Sequence, residues 1–261
     1  MPSLRPITLI TGASSGIGAA LAQVFAAHGH ELLLLARREQ RLAALAEAVA
    51  AAGGKRPQVM AIDLAETGAG GRIAAALIER GIEPEIVINN AGFGLLGPAS
   101  ALDRTRQLAM IDVNARILTD LSLRWVDSLA RHKGGILNVG SVAGFMPGPG
   151  MAVYHATKAY VLSFTEALHQ ELKPRGIRVT ALCPGPVSTE FAVRIEGWRL
   201  RLLGRAPDRV ARDGYAGFMR GQRLVVPGFA NRVVCSLPRL LPHETMASLV
   251  NGSNRIASDA Q

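Results

Sequence analysis

Between residues 7 and 226 the sequence turns apolar seven times for a few residues, and the intervals between these runs are long enough for helices. The strand-length runs are 7–10, 31–35, 58–62, 86–89, 135–139, 178–182 and 224–226. Stretches with helical periodicity lie at 16–28, 39–52, 71–80, 112–131, 154–173 and 208–220, most with Gly or Pro near an end. Runs rich in Leu, Ile and Val have no polar face, so a sheet made of them must be covered on both sides, and crossover helices supply that cover. The pattern predicts an α/β chain with a doubly wound, mostly parallel, seven-stranded sheet and helices on both faces. No linker, internal repeat or shift in composition divides the 261 residues, so one domain is expected.

With 49% hydrophobic but only 5% aromatic residues, the core must be built from Ala, Leu, Val and Ile. The net charge of +9, from 29 Lys and Arg against 20 Asp and Glu, suits an anionic partner. The basic residues are scattered and not interleaved with aromatics, which argues against nucleic acid. Cys183 and Cys235 have no CxxC spacing, so no metal site and no disulfide framework is expected, and two thiols fit a reducing cytoplasm. The first strand begins near residue 7 without room for a signal peptide before it, and no apolar run approaches a membrane span. The expectation is a cytoplasmic protein without a transmembrane segment.

Between the first strand and the first helix stands Thr11-Gly12-Ala13-Ser14-Ser15-Gly16-Ile17-Gly18. Gly12 can take the positive φ of a tight turn, Gly16 lets backbone approach a pyrophosphate, and Gly18 lets the helix pack close to the sheet. A helix beginning there offers free N–H groups and a partial positive charge to phosphates. Dinucleotide folds discriminate between nicotinamide cofactors at the end of the second strand, where a carboxylate holds a ribose hydroxyl and a guanidinium holds a 2′-phosphate. That strand ends Ala36-Arg37-Arg38, with no acid before Glu39. Arg37 is the first choice for the phosphate and Arg38 the second, which predicts NADP(H), with NAD(H) as the alternative.

Ser141 follows the fifth strand, while Tyr154 and Lys158 stand four apart at the start of a helix, on one helical face. A phenol ionises near 10, too high for proton exchange at neutral pH. A unit positive charge about 4 Å away contributes roughly 4 kcal/mol at an effective dielectric near 20, about 3 pK units. Taken singly, these residues read equally well as a surface pair and a loop serine.

Taken in order, the segments TGASSGIG at 11–18, Asp63-Leu64, NNAG at 89–92, Asn114, Ser141, YHATK at 154–158 and PGPVST at 184–189 resemble a short-chain dehydrogenase/reductase over most of the chain. The resemblance implies a Rossmann-like fold and hydride transfer between NADP(H) and a carbonyl or alcohol. It implies Tyr154 as acid/base, and Lys158 as the group that lowers its pKa and holds the nicotinamide ribose. Ser141 would orient the substrate oxygen, and Asn114 would support a proton relay through water. Asp63 would contact adenine, Asn90, Ala91 and Gly92 would line the cofactor, and Val187 and Thr189 would touch the carboxamide end. Ser14, Ser15, Ile17, Leu64, Pro184 and Gly185 complete the expected cofactor set. Ser15 departs from many NADP-using relatives, which carry Lys or Arg there, and His155 is expected to serve packing or face solvent.

Phe93, Leu95, Phe145, Met146, Phe191 and Trp198 are expected to surround a hydrophobic small-molecule carbonyl or alcohol, with 187–207 as a lid. The resemblance also implies a homodimer or homotetramer through the helices at 112–131 and 154–173. The tail from about 227 is expected to form a helix, with packing on a neighbouring subunit or a membrane as the alternative. A non-catalytic nucleotide-binding scaffold is the competing reading from another class; a missing Tyr or Lys would mark it, and both are present.

Overall fold

Leu32–Ala36 shows why the sheet forms: Leu32, Leu34 and Ala36 pack into one helical layer, Leu33 and Leu35 into the other, and all five are buried. A strand alternates its side chains between faces, so a wholly apolar strand must lie between two layers. The computed structural model describes residues 4–188 and 205–239.

The elements run β1 (Arg5–Thr11), α1 (Gly16–Ala27), β2 (Leu32–Ala36), α2 (Glu39–Ala51), β3 (Gln58–Ala61), α3 (Ala69–Glu79) and β4 (Ile82–Asn89). There follow α4 (Arg104–Ile111), a π-turn (Asp112–Arg116), α5 (Ile117–Arg124), α6 (Val126–Arg131), β5 (Gly135–Val139) and α7 (Ala152–Leu172). The described chain ends with β6 (Arg178–Leu182), α8 (Pro207–Met219), β7 (Leu224–Val225) and α9 (Phe229–Ser236). All seven strands join one sheet in the order β3-β2-β1-β4-β5-β6-β7, and every pairing is parallel. The order reverses between β1 and β4, and such a switch point opens a crevice at the carboxyl ends of the strands.

One face of the sheet carries α1, α2 and α8 through Phe25, Leu42, Val49 and Phe218; the other carries α3, α5, α6 and α7 through Ile73, Leu121, Leu129 and Leu168. Seven strands and a two-sided sheet are as the sequence predicts. Two starts differ by more than two residues. Strand β4 begins at Ile82, not residue 86: partners shift from Ile7↔Pro84 to Thr8↔Ile86, leaving Glu85 as the extra residue of a bulge. The bulge accommodates a proline that cannot donate to a regular ladder. The helix expected at 112–131 instead starts at Arg104, where Asp103 caps it by accepting from the Arg106 N–H at 2.7 Å. It passes through the π-turn and breaks at Trp125, with φ −119 and ψ 25, before α6.

Candidate active site

A cleft of about 970 Å³ lies along the carboxyl edge of the sheet, lined by the segments that follow β1 to β6. Its first wall is the glycine turn. Gly12 has φ +65, and a Cβ there would stand 2.8 Å from the Ala91 Cα. A Cβ at Gly18 would collide with the Asn90 side chain and the Gly12 carbonyl, so α1 seats directly on the turn only because Gly18 has none. The turn is pinned from β4: Asn90 Nδ2 donates to the Thr11 carbonyl at 2.9 Å and the Gly12 carbonyl at 3.2 Å. Thr11 Oγ1 accepts from the N–H groups of Asn90 and Ala91, each at 3.0 Å. Thr11 is a positioning residue that the sequence reading missed.

Ser14, Ser15, Gly16 and Ile17 line the cleft where α1 begins, its N-terminus turned to the opening. Arg38 leans over this point: its guanidinium donates to Ser14 Oγ at 2.9 Å and to Ser15 Oγ at 2.7 Å. Arg37 also lines the cleft but is exposed. Arg38 is thus drawn in over the glycine turn, and Arg37 stands exposed at the rim. Asp63 and Leu64 complete this end, and Asp63 Oδ1 accepts from the Ala65 N–H at 2.9 Å.

At the other end, α7 presents Tyr154. Among its buried residues, Tyr154, Lys158, Val161, Thr165, Leu168 and Leu172 recur every three or four positions, so the tyrosine and lysine sit at the head of one buried stripe of the helix. Lys158 Nζ lies 5.8 Å from the centre of the Tyr154 ring and donates to the Val139 carbonyl at 2.8 Å. Lys158 is 5% exposed, and burial pushes its pKa down to about 8. Ser141 caps a short 3-10 turn (Val142–Phe145); its hydroxyl oxygen accepts from the Ala143 N–H at 3.1 Å, leaving its hydrogen to donate.

Asn114 sits in the π-turn and is buried. Its Oδ1 accepts from the Phe93 N–H at 3.0 Å, while Nδ2 donates to the Phe93 carbonyl at 2.9 Å and to Thr157 Oγ1 at 3.1 Å. This commits its amide to clamping the loop after β4 onto α7. A Cβ at Gly92 would lie 3.0 Å from Asn114 Oδ1 and 3.6 Å from Lys158 Nζ, so a glycine lets the clamp and the ammonium close in on the cleft wall. His155 packs inward: its Nδ1 is 2.8 Å from the Met146 carbonyl, and burial lowers its pKa.

Of the expected substrate residues, Phe93, Leu95 and Met146 line the cleft. Phe145 does not: it packs with Cys183, Val226 and Cys235 beneath the 3-10 turn, because a residue one position before Met146 points to the other side of that segment. Phe191, Trp198 and Thr189 lie outside the described residues, as does most of the expected lid, although its ends meet where Ser188 N–H donates to the Arg205 carbonyl at 3.1 Å. Pro184, Gly185 and Val187 line the cleft, and α9 adds Val234, which no sequence signal singled out. The remaining tail, 240–261, is outside the described residues.

The cleft fits a dinucleotide: a helix N-terminus and a side-chain-free turn face one end, a guanidinium overhangs it, and a phenol beside an ammonium closes the other. Among the described residues there is no cluster of groups able to hold a metal ion, and no helix long and apolar enough to cross a membrane.

Residues 6–199 match the sequence model of the short chain dehydrogenase family. A sulfoacetaldehyde reductase of Chromohalobacter salexigens is 38% identical over 193 residues, 73% of this chain and 76% of that protein. A short-chain dehydrogenase from Sphingobium yanoikuyae, solved in complex with NADPH, superposes with a TM-score of 0.78 at 36% identity, covering 87% of this chain and 91% of that one. The bulky-bulky ketone specific alcohol dehydrogenase from Comamonas testosteroni gives a TM-score of 0.76 at 30% identity, covering 91% and 93%.

Proposed function

This chain belongs to the short-chain dehydrogenase family, and from that premise we propose that it interconverts a small-molecule carbonyl and its alcohol with NADP(H), using Tyr154 as the proton donor or acceptor. The observation that carries the reading is Lys158, a buried ammonium 5.8 Å from the Tyr154 ring with a backbone carbonyl as its hydrogen-bond acceptor. A charge kept at such cost beside a phenol favours the phenolate and eases its proton exchange. When bound, the cofactor supplies the hydride; the protein supplies position and electrostatics.

In carbonyl reduction, Ser141 donates a hydrogen bond to the substrate oxygen and Tyr154 gives it a proton as negative charge gathers there. In alcohol oxidation Tyr154 takes that proton. Lys158 holds the phenol and the nicotinamide ribose in one place, and Asn114 positions the wall between them by clamping Phe93. The turn from Gly12 to Gly18 takes the pyrophosphate. Arg38, with Arg37 behind it, takes the 2′-phosphate, and the NADPH complex of the Sphingobium relative supports NADP(H) as the cofactor. Asp63 and Leu64 lie toward adenine, and Asn90, Ala91, Gly92, Pro184, Gly185, Val187 and Thr189 belong to the rest of the cofactor. Phe93, Leu95 and Met146 suit a substrate with an apolar body next to its carbonyl.

We read the chain as one domain acting in the cytoplasm, where Cys183 and Cys235, buried and unpaired, stay reduced. Leu108, Ile111, Leu123 and Tyr160 are exposed apolar residues on α4, α5 and α7, which supports a homo-oligomer through those helices.

A panel of aldehydes, ketones and alcohols, followed through NADPH absorbance, tests the reading. Turnover is expected for the wild type, with a loss of about 10²- to 10⁴-fold in Tyr154→Phe and NADPH binding kept. Undiminished turnover in that variant contradicts the role given to Tyr154.

A further inference from the structure

Leu102, Arg106, Ala109 and Val113 all line the cleft, and Leu102 directly precedes the Asp103 cap of α4. Their spacing of four, three and four turns one continuous side of the chain from α4 into the π-turn toward the opening. Met110, one helical turn beyond Arg106, is 1% exposed and packs in the same apolar cluster as Tyr154, Leu95 and Met151; Leu102 packs against that cluster too. This fixes Arg106 at the Tyr154 end of the cleft, away from Arg37 and Arg38, as the one charged residue on an otherwise apolar stripe.

The guanidinium has no hydrogen bond or ion pair among the described residues. The nearest acids along the chain are engaged elsewhere: Asp103 accepts from the Arg106 backbone N–H, and Asp112 pairs with Arg116 at 2.6 Å. Of the described residues lining the cleft, Asp63 is the only carboxylate, and it belongs to the opposite end with Arg37 and Arg38. Among the described residues, the Tyr154 end therefore carries two cations, Lys158 and Arg106, and no acid. Lys158 is buried beneath the tyrosine; Arg106 is exposed at the rim, where a planar fork of donors can meet an oxyanion.

We propose that Arg106 binds an anionic group, a carboxylate or sulfonate, at the far end of the substrate, so that this enzyme prefers carbonyl compounds with an apolar body and an acid terminus. The proposal deepens the reductase reading and rests on it for the position of the carbonyl. The stripe then divides the work: Leu102, Ala109 and Val113 face the body of the substrate, and Arg106 sets which end enters. A charge-assisted pair of this kind is worth about 10- to 100-fold in affinity.

The test uses the full chain with NADPH and two matched aldehydes, 4-oxobutanoate and its methyl ester. Wild-type kcat/KM is expected to favour the anion over the ester by at least about tenfold, mostly through KM. That ratio should collapse toward one in Arg106→Met and return in large part in Arg106→Lys. Calorimetric binding of the unreactive anion butane-1-sulfonate to the NADP-loaded protein reads the same contact without turnover, and should weaken by a similar factor in Arg106→Met. Equal kcat/KM for anion and ester, or a ratio unmoved by Arg106→Met, overturns the anion site while leaving the reductase reading standing. Arg106-dependent sulfonate binding without turnover of either aldehyde sinks the reductase reading and keeps the anion site.

Discussion

At the amino edge of the sheet Glu31, Glu83 and Glu85 each face a basic side chain, whereas at the carboxyl edge Lys158 is buried with a backbone carbonyl as its acceptor. Glu31 meets Arg5 and Lys55, Glu83 meets Arg131 and His132, and Glu85 meets His30 at 3.2 Å. Burial pushes Glu83 up, but hydrogen bonds from Arg131 and His132 outweigh it and hold its pKa below the ordinary carboxylate value. The His30 hydrogen bond does the same for Glu85, against the upward push of burial. Nothing comparable compensates Lys158, which desolvation depresses to about 8. Charges at the amino edge are completed within the chain and serve the fold. Cations at the carboxyl edge, Arg37, Arg38, Arg106 and Lys158, line a cleft whose described walls hold one acid, and Arg38 and Lys158 are held there by neutral oxygens of Ser14, Ser15 and Val139.

This contrast breaks first if Arg38 is merely another surface arginine. Arg38→Ala is expected to weaken NADPH binding by roughly 10- to 100-fold and leave NADH nearly unchanged, and Arg37→Ala to do less. Fluorescence titration of both cofactors checks it, and equal losses for the two would remove the 2′-phosphate assignment. The opposite edge should give a smaller effect of a different kind. Glu85 has a folded pKa below its unfolded value, so its contribution is present at neutral pH and is lost as the pH falls through the folded value. Glu85→Gln should therefore cost about 0.5–1 kcal/mol at neutral pH and nothing once the carboxylate is protonated. Melting curves along an acid pH series show this as two traces that converge, and parallel traces would mean that the Glu85 carboxylate is not the cause.

How much of this was visible in the residues alone depends on the range of the interaction involved. Leu32 to Ala36 announces a two-sided strand because the signal is local, and the Tyr154–Lys158 pair is legible because helix periodicity fixes their common face. The different placement of Arg37 and Arg38 was not legible, since it turns on a one-residue difference where β2 gives way to α2 and on whether a side chain curls back to Ser14 and Ser15. The start of α4 was missed because Arg104, Arg106 and Gln107 dilute its apolar stripe, and without that start Arg106 has no assigned direction. Pro84 cut the fourth strand short on paper, while the chain absorbs it in a bulge. Asn114 reads from the sequence as support for a proton relay through water, whereas the contacts of its amide to Phe93 and Thr157 are ones that only the fold brings together.

The central claim is that the Lys158 charge is kept for chemistry against the interest of the fold. A base whose folded pKa lies below its unfolded value destabilises the protein while protonated, here by about 3 kcal/mol for a fall from 10.5 to about 8, and the penalty fades as the pH rises between those values. The melting temperature of cofactor-free Lys158→Met, and the turnover of the same preparation once NADPH is added, measured from neutral to alkaline pH, decide the matter. The expected result is a melting temperature about 3–6 °C above wild type at neutral pH, after allowing for the Val139 carbonyl left unpaired, with the gain shrinking toward high pH and turnover nearly gone. A variant that melts below wild type at every pH, or that keeps its turnover, would contradict it.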